Sequence, residues 1–202
     1  MILHRLIETL LGSAAKIRII RALLASPQPL SGRQVGELAG LSHRGAIQAL
    51  ESLVESGAVR QRRAGKAYQF SLSRGNAAVE KIIIPCFRAE TALLDDLKSD
   101  VSARFGKKTV SLTLYGSLVR GTESKGSDID VLAVVRDEQA KERLEEEAAS
   151  FVPFFQERFS ALLSLHCFTL EEIRKKAVLP LLDSVRNEGV TLAGKPIYEL
   201  LK

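Results

Sequence analysis

Apolar positions recur at helical spacing early in the chain and in strand-like runs late in it. Leu3, Leu6, Ile7, Leu10 and Leu11 repeat every three to four residues until Gly12 interrupts. Ser13 reads as the cap of a helix over residues 14–25, with Ile17, Ile20, Leu23 and Leu24 inward, and Ser26-Pro27-Gln28-Pro29 ends it. Ser31 reads as the cap of residues 32–39, with Val35 and Leu38 inward. Gly40-Leu41 makes a tight turn, and Ser42 caps a helix over residues 43–56 that turns Ile47, Leu50, Leu53 and Val54 inward. Gly57 stops that helix. Residues 58–63 and 67–72, joined through Ala64-Gly65-Lys66, read as a hairpin.

Residues 76–104 carry an apolar stripe, Val79, Ile82, Ile83, Phe87, Leu93, Leu94, Leu97 and Val101, which predicts a connector helix kinked or broken at Pro85. Residues 109–115 alternate Val110, Leu112 and Leu114 with Thr109, Ser111 and Thr113, the pattern of a strand with one buried face. Residues 129–135 are almost continuously apolar, as in a strand covered on both faces. A charged helix over 137–158 with a bend at Pro153, a strand over 160–169, a helix capped by Thr169 that bends at Leu179-Pro180, and a terminal strand-turn near 190–196 complete the order. Strand and helix alternate in this half, which predicts a small mixed α/β domain.

Candidate chemistry lies where the first two strands of that half meet. Asp128 and Asp130 stand at the entrance of the second strand, and residues two apart on a strand point to one face. Paired carboxylates repel, and a fold keeps them mainly when a cation lies between. Gly116-Ser117 ends the first strand. Glycine lets backbone N–H groups approach a phosphate, and Ser117 opens a short helix through Leu118, Val119 and Arg120. A phosphate cradle beside a dicarboxylate suits a Mg²⁺-nucleotide.

These residues carry a resemblance. The string GSLVRGTESKGSDIDVLAVV resembles the small nucleotidyltransferases of the superfamily related to DNA polymerase beta, through Gly116, Ser117, Arg120, Gly121, Ser127, Asp128 and Asp130. The resemblance implies transfer of a nucleoside monophosphate from an NTP, such as ATP, to a hydroxyl acceptor, with pyrophosphate released. It implies that Asp128 and Asp130 hold Mg²⁺, that Gly116 and Ser117 cradle phosphates with Ser127 nearby, and that Arg120 or Lys125 neutralises charge. The acceptor is left open among a small molecule, a protein side chain and an RNA end. Active members place a third carboxylate on the following strand, where this chain has Leu162-Leu163-Ser164-Leu165-His166-Cys167-Phe168. Ser164 and His166 are the nearest polar groups. His166 reads either as a base or ligand or as a half-buried core histidine.

Charge divides the chain in the same way. Residues 1–75 hold 11 lysines and arginines against 4 acids, and the remainder holds 18 against 20, so the net +5 is an N-terminal property. Residues 13–73 resemble a winged helix-turn-helix DNA-binding domain. Ser42, His43, Arg44 and Gln48 would face base edges or phosphates, and Arg60, Arg62, Arg63 and Lys66 would lie on the backbone of double-stranded DNA. Such modules often bind paired half-sites, which points to a homodimer.

The fold class expected is therefore α+β: a winged helix-turn-helix domain over 1–75, a helical connector over 76–104 and a nucleotidyltransferase-like domain over 105–202. The alternative is a DNA-binding transcription regulator whose second domain senses a nucleotide or dimerises. No run is apolar enough to span a membrane, and the N-terminus lacks a signal-peptide pattern. Cys86 and Cys167 have apolar neighbours and read as reduced core cysteines of a cytoplasmic protein. His4, His43 and His166 do not cluster at metal-ligand spacing.

Overall fold

The computed structural model describes residues 4–65, 67–175 and 180–201. The chain divides into two compact units, Met1–Ala92 and Leu93–Lys202.

The first unit runs α1 (Leu6–Leu11), α2 (Ala14–Ala25), β1 (Leu30–Ser31), α3 (Gly32–Ala39), α4 (His43–Glu55), β2 (Val59–Ala64) and β3 (Ala67–Leu72). Its helices start where short polar side chains satisfy orphan N–H groups. The Ser13 hydroxyl accepts from Lys16 N–H at 3.3 Å, and the Ser42 hydroxyl accepts from Gly45 N–H at 3.2 Å. Ser31 and Gln34 form a reciprocal capping box. Ile19, Ile20, Val35, Leu50 and Leu53 are fully buried between the helices and the sheet. The sheet has the order β1-β3-β2 and is antiparallel throughout. Its two-residue edge strand, Leu30–Ser31, is too short to leave a period in the sequence.

Two expectations are corrected here. Leu38 is 65% exposed, not inward. The buried stripe of α3 runs through Val35, Gly36 and Ala39, and Leu38 falls off it. Cys86 is exposed, whereas Cys167 is buried and its thiol is pushed up to about 12, first by burial and then by Glu145.

A π-helical turn, Val79–Ile83, leads into α5 (Ile84–Phe105). The chain stays helical through Pro85, and the irregularity expected there takes the form of the π-helical turn that ends just before it. Its missing N–H leaves a gap in a ladder that is already helical from residue 77 onward, and the widened turn lies directly before that gap. The widened turn before it accommodates the ring, with Ile84 N–H bonded back to the Val79 carbonyl.

The second unit continues with β4 (Ser111–Tyr115), α6 (Ser117–Arg120), β5 (Ile129–Val135), α7 (Glu138–Phe159), β6 (Leu163–Thr169), α8 (Leu170–Lys175), α9 (Pro180–Glu188), β7 (Val190–Gly194) and α10 (Ile197–Leu200). The strand order is β6-β5-β4-β7. The α7 crossover makes β5 and β6 parallel, and β4 is antiparallel to both its neighbours. Asp137 and Thr169 cap α7 and α8. The helix expected to bend at Leu179-Pro180 passes through residues 176–179, which lie outside the described residues. Val101, Phe105, Leu144 and Phe155 cluster with Leu112, Leu114, Val131 and Ala133 on one face of the sheet. Ile173, Leu182 and Val185 cluster with Tyr115, Leu132 and Val134 on the other.

This two-sided cover corrects the reading of β4 as a strand with one wet face. Ser111 and Thr113 are 0% and 1% exposed. Alternation of polar and apolar residues signals a solvated face only when nothing covers it, and here a second helical layer does. Among the described residues, no helix is long and apolar enough to cross a membrane.

Candidate functional site

The site forms where β4 ends and β5 begins. Strand register places Tyr115 opposite Asp130 on one side and Ser164 opposite Asp130 on the other. Asp130 is thus on a central strand between two polar neighbours. Gly116 follows Tyr115 with φ 83° and ψ −158°, a conformation that L side chains resist. A Cβ there would fall 2.2 Å from Asp130 Oδ2. The carboxylate therefore lies directly against the backbone of the Gly-Ser turn, in space that any side chain at position 116 would fill.

The chain then turns through α6. Thr122 N–H bonds back to the Ser117 carbonyl at 3.0 Å, which folds the following loop onto the turn. Near its far end, Ser124 N–H donates to Ser127 Oγ at 2.9 Å and Ser127 N–H donates to the Ser124 carbonyl at 2.9 Å. The Ser127 hydroxyl thus braces the loop that delivers Asp128. Lys125 is exposed between them.

Partial burial raises the Asp130 carboxyl above its ordinary range, and the Asp128 charge raises it further. His166 and Arg120 act in the opposite direction, so both lie within electrostatic reach of Asp130. Burial also pushes the Tyr115 hydroxyl up, reinforced by Asp130. A half-buried carboxylate with a second, exposed one in electrostatic reach is a donor pair for a hard divalent cation. Among the described residues, no group of three or more His, Cys, Asp and Glu side chains is placed to hold a metal ion.

Gly116, Ser117, Arg120, Asp128, Asp130 and His166 converge on this corner. Ser164 occupies the register position beside Asp130, and its hydroxyl lies 3.3 Å from His166 Nε2. His166 is exposed, not the half-buried core histidine of the bland reading. Two participants were missed by sequence reasoning. Tyr115 was legible, since it alternates onto the same face of β4 as Ser111 and Thr113. Glu188 was not: it pairs with Arg120 at 2.7 Å from the end of α9, 68 residues away, and no motif marks it.

In the first unit, Ser42, His43, Arg44 and Gln48 are all exposed at the start of α4. The Ser42 oxygen already serves as the helix cap. Arg44 and Gln48, four residues apart, share a face. On β2, Val59 is buried and Arg60, Arg62 and Arg63 are exposed. Arg62 and Arg63 point to opposite faces of the hairpin, and the Arg63 Nε donates to the Gly65 carbonyl at 3.4 Å. Lys66 lies outside the described residues.

Residues 94–183 match the family model of the nucleotidyltransferase domain. No curated protein matches the chain. Among solved structures, similarity is found to a MarR-family transcriptional regulator from Silicibacter pomeroyi, at 24% identity over 49% of this chain and 77% of that one, TM-score 0.35. A toxin-antitoxin structure with AMP-PNP is 18% identical over 52% of this chain and 80% of the other, TM-score 0.35. A mutant of the toxin-antitoxin MntA-HpeT is 16% identical over the same shares, TM-score 0.37. The matched residues 94–183 contain both the Gly-Ser turn and the paired aspartates and lie within the second unit, so the similarity to the nucleotidyltransferase domain falls on the candidate site.

Proposed function

We propose that the chain is a Mg²⁺-dependent nucleotidyltransferase joined to a DNA-binding winged helix, with the winged helix over residues 1–75, a connector over 76–104 and the transferase over 105–202. The observation that carries the transferase reading is the closeness of Asp130 to Gly116, where a Cβ would stand 2.2 Å from the carboxylate. It brings a phosphate-binding turn and a carboxylate into one site.

In this reading Asp128 and Asp130 hold the cation. A Mg²⁺ ion held there would supply positive charge to offset that of the triphosphate of an NTP, with ATP as the first candidate, and of the leaving pyrophosphate. The Gly116-Ser117 backbone receives the phosphates, and Arg120 neutralises their charge from the following turn. Lys125, on the exposed loop tip, adds a second cation at the entrance. The acceptor hydroxyl oxygen attacks the α-phosphorus, and the bond to the β-phosphate oxygen breaks. The hydroxyl proton passes to His166, which stands in reach of Asp130 with Ser164 hydrogen-bonded to its ring.

One observation favours a second reading. Ser164 stands opposite Asp130 where an active family member would be expected to bring a third acid, and serine is a weak ligand for a second cation. The chain would then be a DNA-binding regulator whose second unit senses a nucleotide or dimerises.

Incubation with ATP labelled at the α-phosphate, Mg²⁺ and cell extract, followed by separation of protein, RNA and small molecules, tests the first reading. Label transferred to one fraction by the wild type and not by Asp128→Asn/Asp130→Asn is expected. No transfer to any fraction would favour the regulator.

A further inference from the structure

The Arg120–Glu188 pair is built into the rim of the candidate site, and Glu188 has no part in the reading above. Arg120 ends α6, one turn beyond Gly116. Its Nη1 donates to Glu188 Oε2 at 2.7 Å, and the two side chains are 42% and 40% exposed. This is one contact from a guanidinium that carries five N–H donors, so most of the fork stays open. Glu188 is set firmly. It is the last residue of α9, and the next residue, Gly189, approaches so closely that a Cβ would lie 2.3 Å from the Val185 carbonyl oxygen and 2.7 Å from Thr113 Cγ2. Thr113 lies on β4, the strand that runs into Gly116. One strand therefore fixes both ends of the pair: the turn bearing Arg120 and the helix end bearing Glu188.

We infer that Glu188 is a positioning residue that holds the Arg120 guanidinium with its free N–H groups toward the phosphates of a bound nucleotide. The inference rests on the nucleotide-binding reading of the site and deepens it. Arg120 sits near enough to Asp130 to act on it electrostatically, which places the guanidinium beside the phosphate cradle. An unheld arginine on a four-residue helix would lose rotamer freedom on meeting the phosphates, and a partner that restrains it beforehand reduces that cost. The pair is too exposed to act as a lock, since such bridges are weak. Its carboxylate restrains the cation without blocking it.

The test is calorimetric titration of Mg·ATP into the full chain and four variants. Glu188→Ala is expected to weaken binding about threefold, in keeping with the strength of a half-exposed ion pair. Glu188→Gln keeps the accepting oxygen and should restore most of that loss. Arg120→Ala should weaken binding about tenfold through loss of a charged phosphate contact. Adding Glu188→Ala to Arg120→Ala should cost nothing more, a non-additivity that a merely structural role would not give. Unchanged or tighter binding by Glu188→Ala, with Arg120→Ala weakened, would overturn the positioning role and leave the nucleotide site standing. Additive losses would overturn it too, as would an Arg120→Ala that binds like the wild type. Absence of binding by the wild type would remove the nucleotide reading and this inference together.

Discussion

The two charged regions of this chain are built in opposite ways. On β2, Arg60, Arg62 and Arg63 project from a strand whose residues after Val59 are all exposed. Charges of one sign are spread along an edge and left in water, where each costs little to hold. At the other region the carboxylate of the half-buried Asp130 lies against a glycine turn, and the exposed Asp128 acts on it electrostatically. There burial and mutual repulsion both raise the Asp130 carboxyl. A solvated stripe suits a long, repetitive polyanion met at many equivalent points. A half-buried carboxylate with a second beside it suits a small, highly charged ligand met at one point. The contrast supports the proposal of nucleic acid for the first unit and a metal-nucleotide for the second.

The comparison can be broken at its tightest point. Gly116→Ala puts a methyl into the space of the Asp130 carboxylate and forces an L residue to a φ of 83°. A loss of about 2 kcal/mol in stability is expected on thermal or urea denaturation, with nucleotide binding abolished. An alanine variant that binds and melts like the wild type would show that the turn and the carboxylate are not in contact. The same substitution at exposed Gln61, on the hairpin, should leave stability within about 0.5 kcal/mol.

The solvated stripe should respond gently and additively. Arg62→Ala and Arg63→Ala should each weaken duplex DNA binding about equally for all sequences, and each should flatten the dependence of log affinity on log salt by about 1. Arg62 and Arg63 point to opposite faces of the hairpin, so a response from only one of them would show which face meets the phosphates.

A smaller effect sharpens the contrast in stability. Because the folded state raises the Asp130 carboxyl, it binds the proton more tightly than the unfolded chain does. Stability therefore falls as pH rises from the ordinary aspartate range through the raised folded value, and the penalty persists in full above it. Asp130→Asn removes that penalty. The variant should melt about 2 °C higher than the wild type at neutral pH, and the gap should close as pH falls below the raised value. Arg60→Gln, which removes a charge that water already solvates, should show no such pH-dependent gain. A destabilised Asp130→Asn at neutral pH would mean that the carboxylate is a structural anchor and not a strained ligand.

What could be read from the sequence follows the range of the interactions involved. The caps at Ser13, Ser31 and Ser42 were legible because the hydroxyl and the N–H it serves lie three residues apart. The paired aspartates and the Gly-Ser turn were legible as motifs. Their contact was not, since it depends on the antiparallel register that sets Tyr115 opposite Asp130. Ser111 and Thr113 were misread because a covering helical layer leaves no trace in the strand it covers. Leu38 was misread because two faces of an eight-residue helix differ by one position in the pattern. At Pro85 an irregularity was legible but its form was not, since a π-helical turn keeps the chain helical where a break was also open. Glu188 had no local signal at all, being joined to Arg120 only by the packing of α9 against β4.

The most direct measurement is calorimetric titration of Mg·ATP, and of ATP with EDTA, into the wild type and Asp128→Asn/Asp130→Asn. Binding by the wild type that requires Mg²⁺ and weakens at least about 100-fold in the double variant is expected for a site in which both carboxylates hold the cation. Binding that survives the double substitution, or that ignores EDTA, would contradict it.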